Sequence, residues 1–214
     1  MRLDPAGVPF IGSAVIAALL AGFTIGWPLS TIFFALAAFF AFFFRDPDRT
    51  PPIGDRAVLS PADGRVLVAG PAIAESAPPG SWLQVSIFLS PLDVHVNRIP
   101  VSGRVARVEY TPGRFLPAYR PDAGRANERS EVWIDHDGRM IVARQIVGVL
   151  ARRVVCRVKP GVDVEAGERY GIMKFGSRID LFLPPGSTML VRVGDRVKGG
   201  VTRLATLPAL QRVA

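Results

Sequence analysis

The stretch EVWIDHDGRMIVARQIV, residues 131–147, decides how this chain is read. Glu131–Asp135 and Met140–Val147 are both rich in Val and Ile, residues whose branched side chains suit a pleated, half-buried surface. Between them stands Asp137-Gly138, a pair that closes a two-residue hairpin because its backbone tolerates φ > 0. Outward from this hairpin the same composition recurs at Arg65–Ala69, Trp82–Leu89, Gly103–Tyr110 and Val154–Val158, each run bounded by Gly, Pro or Asp. The only helical pattern in this part is a short one around Val147–Arg152. The expected fold is mainly β, a barrel or sandwich.

Two stretches, Val158–Arg169 and Val193–Val201, look related: each has a strand, a glycine turn, a Val and a second glycine turn. That arrangement recurs in barrel-sandwich modules such as lipoyl or biotinyl carriers. A carrier needs a modifiable Lys at a hairpin tip, and Met173-Lys174 is followed by Phe-Gly-Ser, so the carrier reading is poor.

The N-terminus is different in kind. Val8 to Phe44 contains no charged residue, nearly twice the roughly 20 apolar residues that a spanning helix needs. Gly26-Trp27-Pro28 interrupts the run, which predicts two helices, about 9–26 and 29–44. No small-residue cleavage site follows, as a signal peptide would require. Arg2 precedes the pair, Arg45, Arg49 and Arg56 follow it, and the turn is uncharged; the positive-inside rule then puts both ends on the cytoplasmic face of the cell membrane. The expected division is a membrane-associating helical hairpin, 1–45, and a barrel-sandwich-like β domain, 46–214.

The 214 residues carry 26 Lys+Arg against 18 Asp+Glu, a net charge of +8. The positive charge is dispersed and no nucleic-acid-binding pattern accompanies it, so an anionic membrane surface is the better partner. One cysteine, Cys156, excludes a disulfide framework and a cysteine-based zinc site.

There are two histidines. His136 sits at the hairpin tip and reads as a solvated turn residue. His95, in Leu89-Ser90-Pro91-Leu92-Asp93-Val94-His95, ends an apolar run and opens a polar segment. Taken singly, Asp63 of Pro61-Ala62-Asp63-Gly64 reads as a turn residue and Ser177 of Phe175-Gly176-Ser177-Arg178 as a loop serine.

In order, Pro-Ala-Asp-Gly, Leu-Ser-Pro-Leu-Asp-Val-His, Asn127-Glu128-Arg129 and Phe-Gly-Ser-Arg resemble the phosphatidylserine decarboxylase proenzymes, in particular their short form. The resemblance runs from about Gly26 to Thr206 and implies a pyruvoyl enzyme that makes its own prosthetic group. Ser177 would attack the Gly176 carbonyl, and elimination would split the chain into 1–176 and 177–214, which stay together as a heterodimer. Ser177 would become the pyruvoyl group that forms a Schiff base with phosphatidylserine and releases phosphatidylethanolamine, with no metal. His95 is the implied base for cleavage and proton donor for decarboxylation, with Asp63 orienting its ring. Longer relatives carry a second His where this chain has Arg98, which cannot act as a base near neutral pH and is a candidate substrate contact. Two rivals are a non-catalytic membrane-anchored β-sandwich adaptor and a pyruvoyl decarboxylase for a soluble amino acid.

Overall fold

The computed structural model describes residues 2–52, 54, 56–149, 154–174 and 177–209. The chain divides into two compact units, Met1–Asp48 and Arg49–Ala214.

In the first unit, β1 (Arg2–Leu3) pairs antiparallel with β2 (Arg45–Asp46), bringing together the two ends of a helical hairpin. Its arms are α1 (Val8–Thr24) and α2 (Trp27–Phe43). The break falls at Gly26, whose φ of 129° suits only glycine. Pro28 lies in the first turn of α2, where its missing N–H costs nothing, so the second helix starts earlier than position 29. Small residues let the arms approach: Ala14, Ala18 and Ala21 are buried, and Ser30 Oγ donates to the Ala18 carbonyl at 2.8 Å. The tip is apolar and bare, with Phe23 94 % and Trp27 78 % exposed. Pro5–Thr24 is a 20-residue helical stretch of mean hydropathy 2.0, long and apolar enough to cross a membrane; Trp27–Phe43 is shorter.

The second unit is built of β3 (Ala57–Leu59), β4 (Gly64–Pro71), β5 (Leu83–Leu89), β6 (Val96–Arg98), β7 (Gly103–Thr111), a short α3 (Ala123–Ala126), β8 (Arg129–His136), β9 (Arg139–Val147), β10 (Val154–Cys156), β11 (Asp163–Val164), β12 (Arg169–Met173), β13 (Ser177–Leu183), β14 (Thr188–Met189), β15 (Arg196–Val197) and β16 (Arg203–Thr206). An eight-stranded sheet has the order β11-β7-β8-β9-β13-β5-β4-β15, flanked by β10-β12-β6 and β14-β16-β3. The sheets are open and enclose a core that includes Val85, Ile87, Val132, Ile134, Ile179 and Leu181. The hairpin at 137–138 forms as expected, with both φ angles positive, 53° and 77°. No helix begins at Val147, which closes β9; residues 150–153 lie outside the described residues.

The two related stretches occupy matching places. β15 pairs with the start of β4 (Val197 opposite Gly64), and β11 pairs with the start of β7 (Val164 opposite Gly103). β4 and β7 begin alike, Gly64-Arg65-Val66 and Gly103-Arg104-Val105, and both shift register just after the Val. Before them the chain crosses itself reciprocally: Leu59 N–H donates to the Pro100 carbonyl and Arg98 N–H to that of Pro61. The half-domains are therefore two copies of one strand-and-turn unit.

Candidate active site

Ser177 is the first residue of β13, a strand hydrogen-bonded on both edges. It stands opposite Leu89 of β5 and Val147 of β9. The residue is fully buried, and its Oγ has no hydrogen-bond partner among the described residues. Buried hydroxyls are nearly always paired, so this one is held ready for something. Gly176, the other residue of the expected cleavage site, lies outside the described residues.

His95 immediately precedes β6 and is also fully buried. Its Nδ1 is 2.9 Å from the Asp93 carbonyl oxygen. A carbonyl only accepts, so Nδ1 carries the proton and Nε2 is the basic nitrogen. That carbonyl belongs to a braced turn: Asp93 Oδ2 accepts from the Ser90 N–H at 2.8 Å and from Ser90 Oγ at 2.7 Å. The imidazole is thus oriented from the backbone.

Sheet register sets the two segments face to face. β5 pairs with β13 at Leu89 and Ser177, and β6 pairs with β12 at Val96 and Ile172. The chain from Leu89 to Val96 carries His95, and the chain from Ile172 to Ser177 contains the expected cleavage site.

Asp63 lies just before β4. Its Oδ1 accepts from the Gly199 N–H at 2.8 Å, and Arg49 grips both carboxylate oxygens, Nη2 to Oδ2 at 2.8 Å. Gly64 makes this placement possible, because its φ is +151° and a Cβ would lie 2.1 Å from the Phe88 carbonyl oxygen. The His95 ring, for which the sequence suggests Asp63 as the orienting group, has its Nδ1 against the Asp93 carbonyl. Arg49 reads in the sequence only as a charge flanking the apolar run; nothing in its spacing signals Asp63 as its partner.

Arg98 is buried, and its Nη1 donates to the Gly167 carbonyl at 3.0 Å. Its stem packs so tightly on the 200 turn that a Cβ at Gly200 would lie 2.6 Å from Arg98 Cδ. The side chain is built into the fold between the two repeat turns.

Asn127 ties the segment around Leu116 to the end of β9. Its Nδ2 donates to the carbonyls of Leu116 and Val147, both at 2.8 Å, and its Oδ1 accepts from the Leu116 N–H at 2.9 Å. Val147 is the residue paired with Ser177, so Asn127 steadies the strand beside it. Arg178 turns to the opposite face, where Nε and Nη2 bind the two oxygens of Asp180 at 2.6 and 2.8 Å. Arg144 lies on that face too; burial lowers its pKa, opposed by the charges of Glu131 and Asp180.

The second repeat repeats this cradle without the carboxylate. Ala166 N–H donates to Ser102 Oγ at 3.0 Å, as Gly199 N–H does to Asp63. A cavity of about 500 Å³ opens there, lined by Ser102, His136, Asp137 and Glu165 among others. His136 is half-buried rather than solvated, because its Nδ1 reaches the Ser102 carbonyl at 2.6 Å. Among the described residues no cluster of His, Cys, Asp and Glu is arranged to hold a metal.

The family model described as phosphatidylserine decarboxylase matches residues 36–205. A phosphatidylserine decarboxylase proenzyme of Gluconacetobacter diazotrophicus is 44 % identical over 219 residues, covering 96 % of this chain and 95 % of that protein. Proteins of the same name from Nitrosomonas europaea and Symbiobacterium thermophilum are each 43 % identical, covering 93 % and 94 % of this chain and 92 % and 94 % of theirs. With the family model matching most of the chain and relatives matched along almost their whole length, the chain belongs to the phosphatidylserine decarboxylase family.

Proposed function

We propose that this enzyme decarboxylates phosphatidylserine with a pyruvoyl group that it makes from Ser177. The observation that carries the reading is the buried Ser177 Oγ at the head of a central strand, unpartnered among the described residues, with Leu89, the strand end that leads on to His95, opposite it. Serine is a weak nucleophile until a base takes its proton. His95 Nε2 accepts that proton, and Oγ attacks the Gly176 carbonyl carbon. Collapse of the adduct breaks the Gly176–Ser177 C–N bond, the leaving nitrogen takes the proton back from His95, and an ester and a free amine remain. Loss of the Ser177 α-proton then expels the Gly176 carboxylate. The dehydroalanine left at 177 takes a proton on its β-carbon to become an imine, water hydrolyses that imine, ammonia departs, and residue 177 ends as a pyruvoyl group.

A group derived from residue 177 suits the place, since the buried hydroxyl it replaces has no hydrogen bond to lose among the described residues. When present, the pyruvoyl group supplies the electron sink for loss of CO₂. This chain's part in turnover is to exclude water and to return a proton to the substrate carbon from His95. Asp63, held by Arg49 and the Gly199 N–H, braces the turn that opens β4, while the Asp93 carbonyl sets the His95 ring.

The hairpin of α1 and α2 brings the enzyme to its lipid. Its bare tip, Phe23, Ile25 and Trp27, supports insertion, and the flanking arginines favour an anionic cytoplasmic surface.

Intact-mass measurement tests the proposal. The parent should yield fragments 1–176 and 177–214, the second beginning with pyruvoyl, and should convert phosphatidylserine but not free serine. Ser177→Ala should remain a single 23.1 kDa chain, and His95→Ala should fail to split. A parent that stays whole, with an ordinary serine, would leave the adaptor reading standing.

A further inference from the structure

Two buried amides beside Ser177 are half satisfied. Gln145 Nε2 donates to Asn97 Oδ1 at 2.7 Å, and both side chains are fully buried. Gln145 Oε1 and Asn97 Nδ2 have no partner among the described residues. Exchanging the two amides end for end leaves the same remainder, one acceptor and one donor. Interiors rarely tolerate such groups, and two on one bonded pair mark a place prepared for a ligand that carries both kinds of partner.

The pair sits on the face of Ser177. Gln145 is opposite Ile179 and Val147 is opposite Ser177, so Gln145 and Ser177 are diagonal neighbours, about 7–8 Å apart. Asn97 is two residues beyond His95 and opposite Gly171. That glycine is required, since a Cβ there would lie 2.9 Å from Gln145 Nε2 and 2.3 Å from the Val155 carbonyl oxygen. The sheet's ionic groups, Arg144, Arg178 and Asp180, alternate onto the other face.

We propose that Asn97 and Gln145 form the subsite for the α-amino acid headgroup of the phospholipid, Asn97 Nδ2 donating to its carboxylate and Gln145 Oε1 accepting from its amine. This assignment rests on the reading of Ser177 as the reactive residue. A neutral donor suits a carboxylate that must leave as CO₂, whereas a guanidinium would stabilise the very charge the reaction discharges. The product lacks the carboxylate, so it forfeits the Asn97 bond and leaves more readily.

Asn97→Asp tests the assignment, because one Asp oxygen still accepts from Gln145 while the donor becomes an anion. Gln145→Met removes the acceptor at similar volume. Both should still split into fragments 1–176 and 177–214. With phosphatidylserine in mixed micelles, KM should rise about tenfold or more at neutral pH. Inhibition of Asn97→Asp by phosphatidylethanolamine should change less than about twofold, for want of a carboxylate to repel. Its KM defect should also shrink as pH falls and the new carboxyl regains a proton. Unchanged KM in both variants, with only a bridging water held there, would overturn the subsite. A parallel loss for substrate and product in Asn97→Asp would overturn it too, as would failure of either variant to split, since the pair would then serve the fold or the cleavage. A parent that does not split or decarboxylate fails the Ser177 reading itself, before any variant is compared.

Discussion

Arg49 and Asp63 meet through two parallel contacts, Nη1 to Oδ1 at 2.5 Å and Nη2 to Oδ2 at 2.8 Å, while Nη1 also reaches the Gly199 carbonyl at 2.6 Å. Both side chains are largely withdrawn from water, 10 % and 15 % exposed. Fork geometry of this kind is specific to the planar guanidinium. Arg49→Ala should lower unfolding stability by about 2 kcal/mol, and Arg49→Lys should recover only part of it. Urea denaturation measures both, and equal midpoints for parent and Arg49→Ala would refute the pairing's importance.

Gly64 and Gly103 hold equivalent places in the repeats, with φ of +151° and +156°. A Cβ would lie 2.1 Å from the Phe88 carbonyl oxygen in one and 2.2 Å from that of Asp135 in the other. Gly70 has φ of +155° with open space around it. Gly70→Ala should therefore lose about 1–2 kcal/mol from backbone strain alone. Gly64→Ala and Gly103→Ala should lose about 1–3 kcal/mol more by displacing a strand. Thermal unfolding that ranks all three alike would contradict the steric account.

Asp180 is fully buried and faces Arg178, also buried, beside Ser177. Asp180→Asn leaves that guanidinium uncompensated and should destabilise by about 3–5 kcal/mol. Replacing both residues by apolar ones of similar volume should restore much of the loss. A double variant no better than Asp180→Asn in the same assay would show that the pair's hydrogen bonds, to Ser86 Oγ among others, matter more than its charge balance.

Burial pushes the Tyr170 phenol well above its usual range, and its hydroxyl has no partner among the described residues. The unfolded chain ionises tyrosine near pH 10. The folded chain holds that proton longer, so this contribution is fully present below about pH 10 and is lost as pH rises beyond, by about 1.4 kcal/mol per unit. Tyr170→Phe should flatten that alkaline decline without weakening the fold at neutral pH. Equal alkaline slopes for parent and variant in a stability-against-pH series would count against it.

The β pattern and the hairpin turn were legible because each depends on neighbours a few residues apart: Asp137-Gly138 needs only its own backbone, and the apolar arms need only their hydropathy. The similarity of 158–169 and 193–201 also surfaced, since a repeat writes itself twice. What bonds across the fold did not. Arg49 finds Asp63 and Gly199 from far along the chain, Asn97 finds Gln145 across two sheets, and Asp93 serves His95 through a backbone carbonyl that any residue would carry. His136 misled because a turn position suggests water, while tertiary packing placed the Ser102 carbonyl against its ring.

β13 is paired along its length with β5 on one side and β9 on the other. A scission at its head would cut the backbone without releasing an edge. The short piece would remain zipped into the middle of the sheet, and pulling it free would mean dismantling the sheet itself. Dissociation and denaturation would be one event, so the catalytic end generated by the cut would last as long as the fold that surrounds it.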